Sequence, residues 1–155
     1  NYINSGGLVL GICNGFQILI ETGLLPGALL RNKYLEFICK NVFVKINKQK
    51  NNYFKSIKKE ILKLHIAHNE GNYFCTQDEI KQIEDNNQIA LCYSNEQGEI
   101  DEKYNPNGSL KNIAGIFNKK KNVLGMMPHP ERMIDKYLSG DDGSIFFETL
   151  LNNIN

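Results

Sequence analysis

Leu8-Val9-Leu10-Gly11-Ile12-Cys13-Asn14-Gly15-Phe16-Gln17 is the stretch on which the fold turns. Residues 8–12 form a short continuous apolar run, the pattern of a strand buried on both faces of a sheet. From Asn14 the spacing becomes helical and continues to Glu21, with Thr22-Gly23 as the stop. Gly11-Ile12-Cys13-Asn14-Gly15 therefore makes a strand–turn–helix junction with a cysteine at its apex, the context a nucleophile elbow requires. Such an elbow holds Sγ above the sheet at a helix N-terminus, where the dipole favours thiolate and backbone N–H groups can meet an oxyanion. The two glycines are expected because the turn is too tight for flanking side chains.

Working outward, periodicity predicts further strands at 36–45, 61–67 and 88–93. Thr76-Gln77-Asp78-Glu79 reads as a capping box opening a helix to about residue 84, with Ile80 and Ile83 inward. Two β-type runs, 113–117 and 123–127, are joined by Asn118-Lys119-Lys120-Lys121-Asn122, which suggests a hairpin with a charged tip. Phe146, Phe147, Leu150, Leu151 and Ile154 fall on one stripe of a C-terminal amphipathic helix. The alternation predicts an α/β domain with a mixed sheet. The most apolar strand begins almost at residue 1, yet a strand buried on both faces needs neighbours on both sides. The pattern therefore predicts that preceding strands are missing, and the chain has no initiator Met.

Composition bounds the function. At 155 residues and 41% hydrophobic the chain is long enough for one domain, 1–155, with its own core. Eighteen basic against seventeen acidic residues leave a net charge of +1, which argues against a dedicated nucleic-acid binder. The densest basic run, 45–59, holds lysines 45, 48, 50, 55, 58 and 59 around Tyr53 and Phe54. Basic residues interleaved with aromatics suit nucleic acid, but a solvated lysine-rich loop is the favoured reading. No apolar run is long enough to span a membrane, and residues 1–7 lack the pattern of a signal peptide. Cys13, Cys39, Cys75 and Cys92 form no C-x-x-C pair, so free thiols in a reducing, cytoplasmic setting are expected and no metal site is written.

A nucleophilic cysteine needs a base, and the base an orienting group. His68-Asn69-Glu70 and His129-Pro130-Glu131 share the H-x-E spacing that puts both side chains on one side of an extended segment. Spacing alone leaves both open; Pro128 and Pro130 stiffen the second and favour His129. His65 alternates with Leu64 and Ile66 in a strand and is expected to be a surface or satisfied histidine. Cys13 is expected to be the only strongly activated thiol, because it alone lies in an elbow.

Gly11-Ile12-Cys13-Asn14-Gly15-Phe16-Gln17 resembles the G-x-C-x-G-x-Q motif of class I, triad-type glutamine amidotransferases. Met127-Pro128-His129-Pro130-Glu131-Arg132 resembles their His/Glu motif. Thr22 to Gly27, Arg31-Asn32, Ala67 to Asn72 and Asn105 to Ser109 extend the likeness, which is closest to the glutaminase subunit of phosphoribosylformylglycinamidine synthase. The resemblance implies a three-layer α/β/α fold with a mostly parallel mixed central sheet, N-terminally truncated to the last two-thirds of the family domain. It implies Cys13 as nucleophile, His129 as proton shuttle and Glu131 as its orienting group. Gln17 and Gly15 would hold glutamine, with the Asn14 N–H in the oxyanion hole. It implies no cofactor or metal in this chain, ATP and Mg on a synthetase partner, and a small third subunit besides. A family P-G-G oxyanion loop is absent from the sequence. The alternatives are a triad amidotransferase serving another synthetase, and a non-catalytic interaction module.

Overall fold

The apolar run folds as β1 (Val9–Ile12) and the helical spacing after it as α1 (Asn14–Glu21). The computed structural model describes residues 1–48 and 51–154, the last by its backbone alone. The remaining elements are β2 (Ala28–Leu30), β3 (Ile38–Ile46), β4 (Ile61–His68), β5 (Asn72–Phe74), α2 (Gln77–Asp85), β6 (Ile89–Ser94), β7 (Ile113–Phe117), β8 (Val123–Met126) and α3 (Asp142–Ile154). Local chemistry sets several of these boundaries. Thr76 Oγ1 accepts from the Glu79 N–H while the Glu79 carboxylate accepts from the Thr76 N–H, satisfying two donors that open α2. Asn118 Oδ1 accepts the N–H groups of Asn122 and Val123 at 3.0 and 3.1 Å and closes the β7–β8 turn.

Among the described residues, six strands form one sheet in the order β1-β8-β7-β6-β3-β4, and β2 pairs with β5. The sheet is mixed, as expected, but only β1 and β8 run parallel; the other four neighbouring pairs are antiparallel. The expected predominance of parallel pairing does not hold for these strands. Parallel neighbours need long crossovers, whereas β7 and β8 are joined by a tight turn that reverses the chain. The β2–β5 pair was not anticipated, because three residues are too few for a period to show.

β1 lies at an edge of this sheet, with β8 on one side, and its Val9, Leu10 and Ile12 are half-buried rather than enclosed. Each face of the sheet carries its own core. On one, Phe16 and Leu19 of α1 and Ile80 and Ile83 of α2 pack against Ile113, Ile116 and Val123. On the other, α3 brings Phe146 against Phe54, which also meets Phe117 at 5.8 Å between ring centres. Helices on both faces make the three layers. Each aromatic ring buried here contributes about 2 kcal/mol of desolvation.

Two details of the sequence reading change. Leu151 is 61% exposed, so the buried stripe of α3 is Phe146 with Ile145, Phe147 and Leu150 beside it; the side chain of Ile154 lies outside the described residues. Tyr53 and Phe54 are in the core, and the Tyr53 hydroxyl donates to Val9 O at 2.6 Å. The aromatic partners that a nucleic-acid reading of 45–59 requires are thus not at the surface, and Lys50 lies outside the described residues.

Candidate active site

Cys13 joins β1 to α1 with φ 52° and ψ −106°, a conformation that L-residues avoid and that a nucleophile elbow imposes. Its N–H continues the β1–β8 ladder by donating to Met126 O at 2.8 Å. The turn is tight on one side only. A Cβ on Gly11 would stand 2.5 Å from the Leu19 side chain and 2.7 Å from the Gly15 backbone, whereas one on Gly15 would meet nothing within 4 Å. Gly11 is therefore required by space; the same argument does not apply to Gly15. Gly125, in register with Gly11 across the parallel pair, admits the Phe16 ring, which a Cβ would meet at 2.2 Å.

His129 follows β8 in extended conformation, and its N–H donates to His65 O at 2.7 Å. That bond ties the segment after β8 to β4, although the two strands lie at opposite ends of the ladder from β8 to β4. The sheet must curl for this contact to form, and curling is what builds the site. The turn after His129 is buttressed by α3, whose Gly143 N–H donates to Met133 O at 2.7 Å and whose missing Cβ leaves room for Pro130 O.

Cys13, Asn14, Gln17, Ala67, His68, Asn69, Glu70, His129 and Arg132 line one cleft of about 460 Å³, with Phe37 at its mouth. The two H-x-E pairs, equivalent by spacing, are not equivalent in space. His129 Nδ1 lies 2.5 Å from Glu131 Oε1, while His129 Nε2 is buried without a hydrogen-bond partner. With its proton on Nδ1 and directed to the carboxylate, the ring presents a free lone pair at Nε2. His68 has both nitrogens engaged: Nδ1 donates to Asn32 Oδ1 at 3.0 Å and Nε2 accepts from Asn107 Nδ2 at 3.5 Å. Burial holds His68 well below the usual histidine range, at about 4. Glu70 faces Arg31 at 3.9 Å instead.

The Cys13 thiol is pushed up, first by burial; the Asn14 N–H and the Arg132 guanidinium pull it down, and Glu131 opposes them. Burial thus outweighs the helix N-terminus, so the resting thiol is neutral and deprotonation needs an acceptor. Gln17 donates to Glu21 Oε1 at 2.8 Å, which leaves its amide beside the cleft but turned along the helix. Gly15 follows in the first turn of α1.

The structure brings Cys13, Asn14, Gln17 and His129, all singled out from the sequence, to one cleft together with Arg132, whereas Gly15 and Glu131 are not among the residues that line it. Sequence reasoning quoted the stretches that contain Asn32 and Asn107 for their likeness but gave neither side chain a role; they pin the loop 67–72 that forms one wall. A pair of asparagines 75 positions apart carries no sequence signal for a shared histidine. His65 is satisfied as expected, by Asn41 Oδ1 at 2.9 Å, but its other nitrogen lies 3.4 Å from Cys39 Sγ, whereas the Cys13 thiol points to Ala67 O at 3.9 Å. Among the described residues, no three His, Cys, Asp or Glu side chains gather as a metal site would need, and no helix is long and apolar enough to cross a membrane.

Residues 1–140 match the CobB/CobQ-like glutamine amidotransferase domain family. The chain is 71% identical over 154 residues to the phosphoribosylformylglycinamidine synthase subunit PurQ of Pelagibacter ubique, covering 99% of this chain and 68% of that protein. It is 53% identical over 148 residues to subunit PurQ of Synechocystis, covering 95% of this chain and 66% of that one. The solved structure of PurLQS from Thermotoga maritima superposes with a TM-score of 0.82 at 37% identity, over 99% of this chain and 65% of that chain. The chain thus spans about two thirds of the length of these relatives. Matched through nearly all of its own length at such identity, the chain belongs to the glutamine amidotransferases and, within them, to the PurQ family, the glutaminase subunits of phosphoribosylformylglycinamidine synthase.

Proposed function

We propose that the protein carrying this chain hydrolyses L-glutamine at Cys13 and supplies the ammonia to a synthetase subunit that makes phosphoribosylformylglycinamidine in purine biosynthesis. The observation that carries this reading is the unpartnered Nε2 of a buried histidine, locked by Glu131 and lining the same cleft as a cysteine on an elbow. Cys13 Sγ adds to the side-chain amide carbon as its proton passes to His129 Nε2, and Glu131 stabilises the imidazolium. The Asn14 N–H faces the developing oxyanion. Collapse of the adduct returns the proton to the leaving nitrogen and leaves a γ-glutamyl thioester. Water, deprotonated by His129, releases glutamate and regenerates the thiol. Gln17, which lines the cleft, would meet the amino-acid end of glutamine once its amide leaves Glu21, and Gly15, which does not line it, would contribute only through its backbone. ATP and Mg belong to the synthetase, and the PurLQS relative supports a complex with that partner and a small third subunit.

The test uses the full-length protein with its partner. Cys13→Ala and His129→Ala are expected to lower glutamine-dependent turnover by at least about 10²-fold, while added ammonia still supports synthesis. A diazo-ketone analogue of glutamine should label Cys13 ahead of the other three thiols. Glutamine-dependent turnover retained in either variant overturns the assignment.

A further inference from the structure

Away from the cleft, the β3–β4 ladder assembles a second cysteine–histidine pair. Cys39 and Asn41 are two apart on β3 and so share a face. Asn41 lies directly across from His65 on β4, and Cys39 across from Ala67. The His65 ring therefore reaches diagonally between them, with Nδ1 2.9 Å from Asn41 Oδ1 and Nε2 3.4 Å from Cys39 Sγ. An amide oxygen only accepts, so the first bond places the ring proton on Nδ1 and leaves the Nε2 lone pair facing the thiol. This is the order of roles in a Cys-His-Asn nucleophilic set.

The surroundings suit exchange at sulfur. Burial first, and then the neighbouring Arg132 and His129, hold His65 below the usual histidine range, with Glu131 opposing, so near neutral pH the ring is uncharged and able to take a proton. Cys39 is exposed. It opens onto a groove of about 1220 Å³, larger than the glutamine cleft and lined by Lys33, Lys40, Lys103, Glu36, Asp101 and Glu102 among others. A polar groove carrying both signs of charge fits a zwitterionic, amino-acid-like ligand. Cys75 and Cys92 offer a contrast: burial raises both thiols, Cys92 to about 11.

We propose that Cys39, with His65 as base and Asn41 positioning it, is a site of reversible thiolation by low-molecular-weight disulfides of the glutathione kind. The Cys39 proton passes to His65 Nε2 as Sγ attacks one sulfur of the incoming disulfide. A protein–ligand S–S bond forms while the old one breaks, and the departing thiolate takes the proton from His65. One disulfide is consumed and one is made. The three reacting and positioning residues, Cys39, His65 and Asn41, are not among those placed in the glutaminase chemistry, so the exchange can be tested whether or not that reading holds.

The experiment exposes the full-length protein to glutathione disulfide near neutral pH and follows each cysteine by peptide mapping. Cys39 is expected to react at least about tenfold faster than Cys75, Cys92 and the same cysteine in a free peptide of residues 37–41. His65→Gln should bring Cys39 down to the peptide's rate. A rate in the intact protein no higher than in the peptide overturns the proposal without any variant, as does a fast rate unchanged by His65→Gln.

Discussion

His68 and His129 carry the same spacing to a glutamate, and their neighbours give them opposite fates. His129 keeps a free nitrogen because no amide reaches it; His68 is enclosed by Asn32 and Asn107, with its ring against Gly71, where a Cβ would stand 2.3 Å away. A buried neutral histidine has a consequence for stability. Its pKa is lowered from 6.5 in the free side chain to about 4 in the fold, so between those values the unfolded chain binds more protons than the native one. Stability is then fully present above the upper value and is lost as pH falls towards the lower, by up to about 3 kcal/mol. The half-buried His65, also lowered, acts in the same direction. Urea midpoints measured across this window should fall with acidity, and His68→Gln should flatten much of that slope. A wild-type protein equally stable at both ends of the window would contradict the assignment of a neutral, enclosed His68.

The strand–elbow–helix unit is governed by close backbone approach. Gly11, Gly125 and the Phe16 ring are interleaved across the parallel β1–β8 pair, so the turn that carries Cys13 and the strand that leads to His129 are packed against each other before any chemistry is considered. A methyl group at Gly11 would press on the backbone of Gly15, which has little room to yield. Gly11→Ala is expected to cost about 2 kcal/mol by overpacking, and to lower the labelling of Cys13 by the glutamine analogue. Gly15→Ala faces open space and replaces a glycine in the first turn of a helix, so its stability should stay within about 1 kcal/mol of the parent. Urea denaturation of the pair is decisive: equal losses in the two variants would show that the elbow's constraint lies elsewhere.

At the scale of the molecule, the cleft exists because distant loops interlock. Asn32 donates to the carbonyls of Glu36 and His68 at 2.8 and 2.9 Å, and its oxygen accepts from His68 and the Gly71 N–H. Asn107 holds Gly71 O at 2.8 Å, and Ser109 Oγ accepts the Tyr73 N–H. Segments 31–36, 67–73 and 105–109 are thereby joined into one wall, of which 67–70 faces the substrate cleft. Removing the amide strands several buried partners at once, so Asn32→Ala should destabilise by about 3 kcal/mol. It should also raise the KM for glutamine while leaving ammonia-dependent synthesis intact in the complex. An Asn32→Ala protein of parental stability and unchanged KM would show the interlock to be dispensable.

Local chemistry was legible in the chain itself. The elbow, the capping box of α2, the Asn118–Asn122 turn and most strand positions follow from short-range rules of period, capping and turn geometry, and their boundaries fell within a residue or two. What the sequence left open was decided by contacts between residues far apart in it. Which of His68 and His129 keeps an unpartnered ring nitrogen rests on which ring two remote asparagines enclose. The predominance of antiparallel pairs rests on how strands are joined, and the three-residue β2 and β5 exist only because they find each other. The site closes because the sheet curls far enough for His65 on β4 to accept a hydrogen bond from His129 beyond β8. Periodicity reports which face of an element is apolar, whereas curvature and long-range pairing depend on how all the faces are packed together.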